Sequence, residues 1–181
     1  MKKFELTSET KVVFGRTLYR IKALISFRDV NAGDLGGWIE KENNLDQSGD
    51  AWVSGDAEVY GNAWVYGNAR VSVDARVYGN AWVYGNARVY GNAWVCGDAE
   101  VSKIGSVLWI SAVGSRNGTT TFFKCRDGNI RVACGCFFGT LKAFAERVKE
   151  THGENEFGRV YMLAIEIAKV RIGEGADEDK K

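Results

Sequence analysis

The fold is decided by residues 51–102, which read AWVSGDAEVYGNAWVYGNARVSVDARVYGNAWVYGNARVYGNAWVCGDAEVS. A valine recurs at every sixth position from Val53 to Val101, and an alanine stands two positions before each of these valines. Glycine followed by Asn or Asp precedes almost every alanine, and only Val73-Asp74 lacks the glycine inside the run. Nine unbroken units of six residues indicate a repeat architecture.

The pattern inside each unit predicts a parallel β-helix. In Ala-x-Val-x, the alternation of an extended strand sends alanine and valine to one side and the two x residues to the other. Gly-Asn and Gly-Asp tolerate left-handed backbone angles, so we expect them to turn the chain between units. Three units then make a triangular coil of eighteen residues. The sequence therefore predicts a mainly β protein built on a narrow prism of alanine and valine.

These hexads resemble a known kind of repeat. Residues 77–82 (VYGNAW) and 83–88 (VYGNAR) resemble the hexapeptide repeats of left-handed parallel β-helices, which are best known from acyltransferases that work as homotrimers. The resemblance implies a left-handed coil and a homotrimer.

A narrower resemblance covers most of the chain. Residues 33–40 (GDLGGWIE), Asn44-Leu45, 114–119 (GSRNGT) and 134–136 (CGC) are similar to a group of phage and prophage hexapeptide-repeat proteins. This resemblance implies a phage-encoded protein that acts in the host cell cytoplasm, and it brings no established activity with it.

Changes of pattern divide the chain into four segments. Residues 1–45 are predicted to form a β-hairpin and a cap, because the first coil of a β-helix otherwise exposes apolar side chains and unpaired backbone groups. Residues 46–104 form the hexapeptide-repeat β-helix. A small α+β domain, with an antiparallel sheet and two helices, is predicted for residues 105–173, and a charged tail for residues 174–181.

Composition narrows the class of protein. The formal net charge of the 181 residues is +1, which gives no reason to expect nucleic acid or an anionic membrane as a partner. The N-terminus lacks the apolar core of a signal peptide, and no run approaches transmembrane length. Four cysteines are too few and too scattered for a disulfide framework. We expect a cytoplasmic protein without a cofactor.

Two of the three outward faces of the predicted coil carry charge. On the first, here called the arginine face, Arg70 lies beside Arg88, and this like-charge stack calls for an anion or a carboxylate from a neighbour. On the second, the salt-bridged face, Glu58 lies one rung from Arg76, which predicts an ion pair.

The third face, the aromatic face, carries Trp64, Tyr66, Trp82 and Tyr84. Four large aromatic side chains make an apolar patch that is too large to leave in water without a partner. We predict that the aromatic and arginine faces meet between the subunits of a homotrimer. A role of the patch in ligand binding is the alternative.

Acyl transfer is not expected. Hexapeptide acyltransferases typically use a histidine near a subunit interface as a general base, and such a base has to titrate near neutral pH. The only histidine is His152, far downstream of the repeat, and no long loop interrupts the repeat to form an acceptor pocket. We expect a protein that is not an enzyme and has no catalytic residue.

Two glycine turns set the predicted register of the C-terminal sheet. Asn117-Gly118 and Asp127-Gly128 favour tight two-residue connections. In that register Cys125 faces Ile130 and Phe123 faces Val132, and Lys124 lies directly across from Arg131. The opposite side of the sheet, together with the first turn, then carries a predicted binding surface for a small anionic ligand such as a nucleotide. Its residues are Trp109, Arg116, Asn117, Thr120, Phe122, Lys124, Arg126 and Arg131. Packing against another part of the protein is the alternative for this surface.

Helices are predicted at 141–151 and 157–172. The residues that the second helix is expected to bury are Val160, Leu163, Ala164, Ile167 and Ala168. The cysteines and His152 resemble a zinc set by composition alone, but the predicted register separates Cys125 from Cys134, so we expect cysteine packing in the core and no metal site.

Three functions remain open from the sequence. The first is a phage-type, non-enzymatic binding protein that sequesters a small anionic ligand or blocks a host defence protein. The second is a structural module in which the β-helix brings three copies together. The third is a relative of the acyltransferases.

Overall fold

The N-terminal residues form an antiparallel extension of a solenoid sheet. In the computed structural model, which describes residues 2–173, β1 (Phe4–Val13) and β2 (Arg16–Ala23) form a hairpin around Phe14-Gly15. Both turn residues have positive φ values, 48° and 76°, as a tight two-residue hairpin turn requires. Strand β3 (Leu35–Ile39) pairs antiparallel with β2. The predicted N-terminal hairpin is confirmed, with longer strands than the sequence indicated.

The hexapeptide repeat folds into a β-solenoid of about four turns. Its nine strands are each two residues long: β4 (Trp52–Val53), β5 (Glu58–Val59), β6 (Trp64–Val65), β7 (Arg70–Val71), β8 (Arg76–Val77), β9 (Trp82–Val83), β10 (Arg88–Val89), β11 (Trp94–Val95) and β12 (Glu100–Val101). Parallel pairing joins β4, β7 and β10, then β5, β8 and β11, then β6, β9 and β12. Strand β3 pairs with β5 and so joins the second set. The predicted coil length and the three predicted faces are confirmed.

The inside of the solenoid is a column of small, buried side chains. Every inward alanine and valine from Ala51 to Val101 is buried. Most turns use a glycine with positive φ, and where the glycine is missing Val73 takes the same conformation at a φ of 65°. A Cβ atom on Gly55 would lie 3.2 Å from the backbone nitrogen of Val73, so the turns of successive coils pack backbone to backbone. The handedness of the coil stays a prediction.

Polar side chains satisfy the carbonyl groups of the first coil. The amine of buried Lys3 donates to the carbonyl oxygens of residues 48, 49 and 51 at 3.3, 3.4 and 2.9 Å. Asn44, in a short 3-10 helix at Glu42–Asn44, donates from Nδ2 to two more carbonyls at 3.2 and 2.8 Å. Backbone amides of residues 38, 40 and 46 donate to other carbonyls of the first coil. The side chains of Lys3 and Asn44 satisfy carbonyls beside these, as expected of a cap.

A second unit follows, and the chain divides after Ile104. A 3-10 helix at Ile104–Ser106 leads into a four-stranded antiparallel sheet. Its strands, adjacent in chain order, are β13 (Val107–Val113), β14 (Gly118–Lys124), β15 (Ile130–Cys134) and β16 (Phe137–Thr140). Helices α1 (Leu141–His152) and α2 (Glu156–Ile172) complete it. The predicted α+β region is confirmed, and the sequence had not indicated β16.

The predicted register between β14 and β15 is wrong by one residue. Lys124 pairs with Ile130, and Phe123 pairs with Arg131. The connection is a three-residue loop, because the amide of Cys125 donates to the carbonyl of Asn129 at 2.9 Å and Gly128 takes the left-handed position with a φ of 83°. Three-residue hairpin loops commonly end on such a glycine. A shift of one residue moves every side chain of a strand to the other side of the sheet relative to its partner.

Helix α2 turns a partly different side inward than the sequence predicted. The predicted burial of Ala164 and Ala168 is confirmed, and Tyr161 and Ile165 are buried with them against the sheet and α1. The other predicted inward residues, Val160, Leu163 and Ile167, are exposed. No helix within residues 2–173 is long and apolar enough to cross a membrane. The predicted tail, residues 174–181, lies outside the described residues.

Candidate functional site

The aromatic face is the most distinctive surface of the solenoid. Tyr66 and Tyr84, on successive coils, stack with ring centroids 4.8 Å apart and nearly parallel planes. Trp64 stacks on Tyr66 at 4.0 Å. Trp64 and Trp82 share the same register position on β6 and β9, and 39% and 37% of their surfaces stay exposed. The four residues that the sequence grouped are therefore one continuous patch.

A hydrogen bond fixes the outer end of this patch. The hydroxyl of Tyr84 donates to Glu100 Oε1 at 2.6 Å. This bond to a carboxylate, helped by burial, raises the pKa of Tyr84 above its ordinary value, and burial likewise raises the pKa of Tyr66. Both phenols are thus neutral across the physiological pH range, so the aromatic face presents uncharged rings to a partner.

The arginine face is partly neutralised within the same chain. Arg70 pairs with Asp29, and Arg28 pairs with Asp50 at 3.1 Å, so the loop between β2 and β3 lies against this face. Arg70 and Arg88 occupy adjacent rungs as predicted. The carboxylate expected from a neighbouring subunit is supplied to Arg70 by the chain itself.

The salt-bridged face is covered by the hairpin. Buried Glu58 lies between Arg76 Nε at 2.9 Å and Lys11 Nζ of β1 at 2.8 Å. The predicted pair of Glu58 and Arg76 is present, and the hairpin adds a second cation to it. Leu18 of β2 packs in one cluster with Tyr60 of this face. The N-terminal segment therefore screens this side of the solenoid as well as capping its end.

Sequence reasoning missed a cavity between the hairpin turn and the salt-bridged face. It measures about 310 Å³ and is lined by Phe14, Tyr60, Arg76, Tyr78 and Trp94. The guanidinium of Arg76 lies 5.8 Å from the ring of Phe14 and 5.3 Å from that of Trp94, and the rings of Tyr60 and Tyr78 stack at 5.2 Å. Its walls suit an apolar ring. The available signal was an apolar residue, Phe14, at the tip of a turn.

The structure does not assemble the surface predicted on the C-terminal sheet. Phe122 and Thr120 are fully buried, and Phe122 lies in the core under the helices. Arg131 pairs with Phe123 and so lies on the opposite side of the sheet from Lys124. The prediction that Thr120, Phe122, Lys124 and Arg131 share one exposed surface is wrong, because the loop after Cys125 has three residues instead of two.

The remaining predicted residues are spread along the edges of the sheet. Arg131 donates to Asp127 Oδ2 at 2.7 Å. Burial alone would raise the pKa of Asp127, but hydrogen bonds from Asn129 and the charge of Arg131 bring it below its ordinary value. Arg116 and Asn117 are exposed in the turn between β13 and β14, Arg126 is exposed in the next loop, and Trp109 is half-buried on β13. These groups do not converge on one ligand.

Cys96 and Cys125 are buried and Cys134 is half-buried, as predicted for core packing. Cys136 is exposed, which contradicts the prediction for that residue. All four cysteines are free thiols, and Cys134 Sγ accepts a hydrogen bond from Thr120 at 3.1 Å. His152 lies against the rings of Phe157 and Tyr161, with centroids 5.8 and 5.7 Å away. Within residues 2–173 no three His, Cys, Asp or Glu side chains gather into a cluster suited to a metal ion.

Comparison with known proteins supports the repeat and nothing further. A family model described as YdcK beta solenoid repeat matches residues 81–97, which contain strands β9, β10 and β11. A search among curated proteins found no match. The chain is a β-solenoid repeat protein, and neither comparison supplies an activity or a partner.

Proposed function

We propose that this protein is a non-enzymatic assembly module, in which copies of the chain associate through the aromatic faces of their solenoids. One observation carries the proposal. Trp64, Tyr66, Trp82 and Tyr84 form a stacked patch whose tryptophans stay more than a third exposed. Tryptophan and tyrosine are the side chains that contribute most to protein interfaces.

The N-terminal segment favours this face over the other two. Asp29 pairs with Arg70 on the arginine face, and Lys11 pairs with Glu58 on the salt-bridged face. Both of those faces are already engaged inside the chain. The aromatic face has neutral rings and more exposed apolar surface, so water is released when a second copy covers it.

Three copies are the proposed number. The support is the resemblance of the repeat to left-handed hexapeptide β-helices that work as homotrimers. Acyl transfer is not part of the proposal, because the lone histidine, His152, packs against rings of its own unit. The phage-type resemblance supports a setting in the host cytoplasm, in which the module would present its α+β units as a cluster.

Binding of a small anion, or of an acidic surface of a host protein, is the second candidate. Arg88 is exposed one rung from Arg70, and among residues 2–173 only Arg70 of the two has a carboxylate partner. A counter-defence role would depend on the binding of such an anion or acidic host surface by the arginine face. The corrected register of the C-terminal sheet removes the surface on which the sequence had placed the ligand.

Sedimentation velocity on the full chain tests the assembly. Replacing both Trp64 and Trp82 with glutamate puts charges into the patch, so we expect the mass to fall from trimer to monomer. Phe14→Glu is the matched control, because it makes the same chemical change at an exposed aromatic residue on the hairpin tip.

Circular dichroism of each variant checks that the solenoid stays folded. An unchanged mass in the double variant, or a parent protein that sediments as a monomer, would refute the proposed interface.

A further inference from the structure

Helix α2 carries a second apolar stripe that its own domain does not use. Val160, Leu163, Ile167 and Val170 are 41%, 65%, 50% and 88% exposed. Isolated exposed aliphatic residues are ordinary on protein surfaces, but four along one face of one helix are not. The helix is thus apolar on two sides.

The two sides of α2 point in different directions. The residues that bury the inner side are Tyr161, Ala164, Ile165 and Ala168. At about 100° per residue the centre of the stripe lies roughly 130° around the helix from the centre of the inner side, and Val160 is the stripe residue next to Ala164. The inner contacts hold the helix in place, and a capped start supports it, since Asn155 Oδ1 accepts from the amide of Gly158 at 3.0 Å. The outer stripe is therefore displayed on a rigid element.

The stripe has the spacing of a coiled coil. Its members follow each other at intervals of three, four and three residues, which is the alternation of a and d positions in a heptad. Val160 and Ile167 take the a positions, and Leu163 and Val170 take the d positions. β-Branched residues at a and leucine at d are typical of parallel helix association. Val160, Leu163 and Ile167 follow this pattern, and Val170 places a valine at the second d position.

The charges beside the stripe fit a parallel copy of the same helix. Glu166 falls at a g position and Arg171 at the following e position. In a parallel coiled coil these positions of neighbouring helices face each other, and an acid opposite a base there selects partner and orientation. Glu166 also meets Lys169 of its own helix at 2.9 Å and is 60% exposed on its side chain, which leaves it accessible to a second cation.

We propose that α2 associates in parallel with α2 of another copy of this chain, through Val160, Leu163, Ile167 and Val170. The stripe spans ten residue steps, about 15 Å of helix, so it is a short contact. A contact of this length gains strength when a second contact already holds the chains together. The seam uses a surface separate from the aromatic face, and it strengthens the association proposed for the solenoids.

Two substitutions on the stripe test the seam in the full-length protein. Leu163→Glu with Ile167→Glu places charges at the centre of the stripe, and both sites are exposed, so the domain should stay folded. We expect the dissociation constant of the oligomer, measured by sedimentation across protein concentrations, to rise at least about tenfold. Val12→Glu, at an equally exposed aliphatic residue of the hairpin, is the matched control.

Disulfide trapping tests the parallel orientation. In a parallel seam position 170 of one helix lies against position 170 of the next, so Val170→Cys should form an intermolecular disulfide under mild oxidation. Glu146→Cys on α1 is the exposed control, and the parent protein gives the background of the four native thiols. The proposal is overturned if Val170→Cys cross-links no faster than Glu146→Cys, or if the double glutamate variant associates as tightly as Val12→Glu.

Sedimentation of the two double glutamate variants distinguishes the α2 seam from the solenoid interface. Loss of association in the Trp64→Glu, Trp82→Glu variant, with unchanged association in the α2 variant, refutes the seam alone. The reverse result refutes the solenoid interface alone.

Discussion

At the scale of single residues, Lys3 satisfies backbone carbonyl groups at the end of the solenoid where the first coil begins. Lys3 is fully buried beneath the hairpin, and its amine donates to three backbone carbonyls. Burial lowers the pKa of Lys3 to about 8, while Asp46 and Asp50 act in the opposite direction and Arg70 adds to the decrease. The residue thus exchanges a solvated charge for backbone contacts that no strand can make at this end.

That lowered pKa predicts a pH dependence of stability. The unfolded chain holds the proton of Lys3 up to about pH 10.5, and the folded chain releases it near 8. Between these values the unfolded state binds more protons, so this group makes the free energy of unfolding rise with pH. Urea unfolding at pH 7.5 and at pH 10 should show a gain in the parent relative to Lys3→Met.

The comparison with Lys3→Met removes the other groups that titrate at high pH, because both proteins share them. Tyr78, whose pKa burial raises, is one such group. A stability difference between the two proteins that stays constant with pH would contradict the assignment.

At the scale of elements, the length of one loop rearranges a whole surface. The three-residue connection after Cys125 puts Lys124 opposite Ile130 and Arg131 opposite Phe123. Lys124 and Arg131 therefore point to opposite sides of the sheet. Arg131 pairs instead with Asp127 of the loop.

A double-mutant cycle measures this register. Lys124→Ala and Arg131→Ala should destabilise the protein additively, with a coupling free energy within about 0.5 kcal/mol of zero. The control cycle pairs Arg131→Ala with Asp127→Ala, where a favourable coupling of about 0.2–1 kcal/mol is expected for a partly exposed ion pair. A repulsive coupling between Lys124 and Arg131 in urea unfolding would support the two-residue turn instead.

At the scale of the whole molecule, the chain has two units, each with its own exposed apolar side chains. The solenoid offers aromatic rings in a fixed register, and the α+β unit offers the aliphatic stripe of α2. Exposed apolar patches rimmed by polar residues can mark interaction sites. Each unit has its own hydrophobic core, so neither surface is needed to complete a fold.

Association should make thermal stability depend on protein concentration. A partner that binds only the folded chain stabilises it by mass action. We expect the Tm from calorimetry to rise with concentration in the parent and to stay constant in the Trp64→Glu, Trp82→Glu variant. A parent Tm that does not change with concentration would contradict association through folded chains.

The sixfold period alone determined the solenoid, its coil length and the membership of its faces. Each six-residue unit pairs with the unit eighteen residues away, so the coil length of eighteen residues sets every strand register within residues 51–102. The outward residues then follow by counting, which is why the stacked rings of Tyr66 and Tyr84 could be predicted. No other part of the chain repeats, and no other part allowed this certainty.

Only the tertiary structure decided the register of β14 and the orientation of α2. Asp127-Gly128 suits loops of two or three residues equally well in sequence, and the backbone bond from Cys125 to Asn129 selects three. The sequence grouped Ala164 and Ala168 with the larger aliphatic residues Leu163 and Ile167. In the structure the two alanines are buried with Tyr161 and Ile165 instead, and the hydroxyl of Tyr161 reaches Cys134 Sγ at 3.8 Å. The local sequence allows more than one loop length after Cys125 and more than one orientation of α2, and packing across the domain selects one of each.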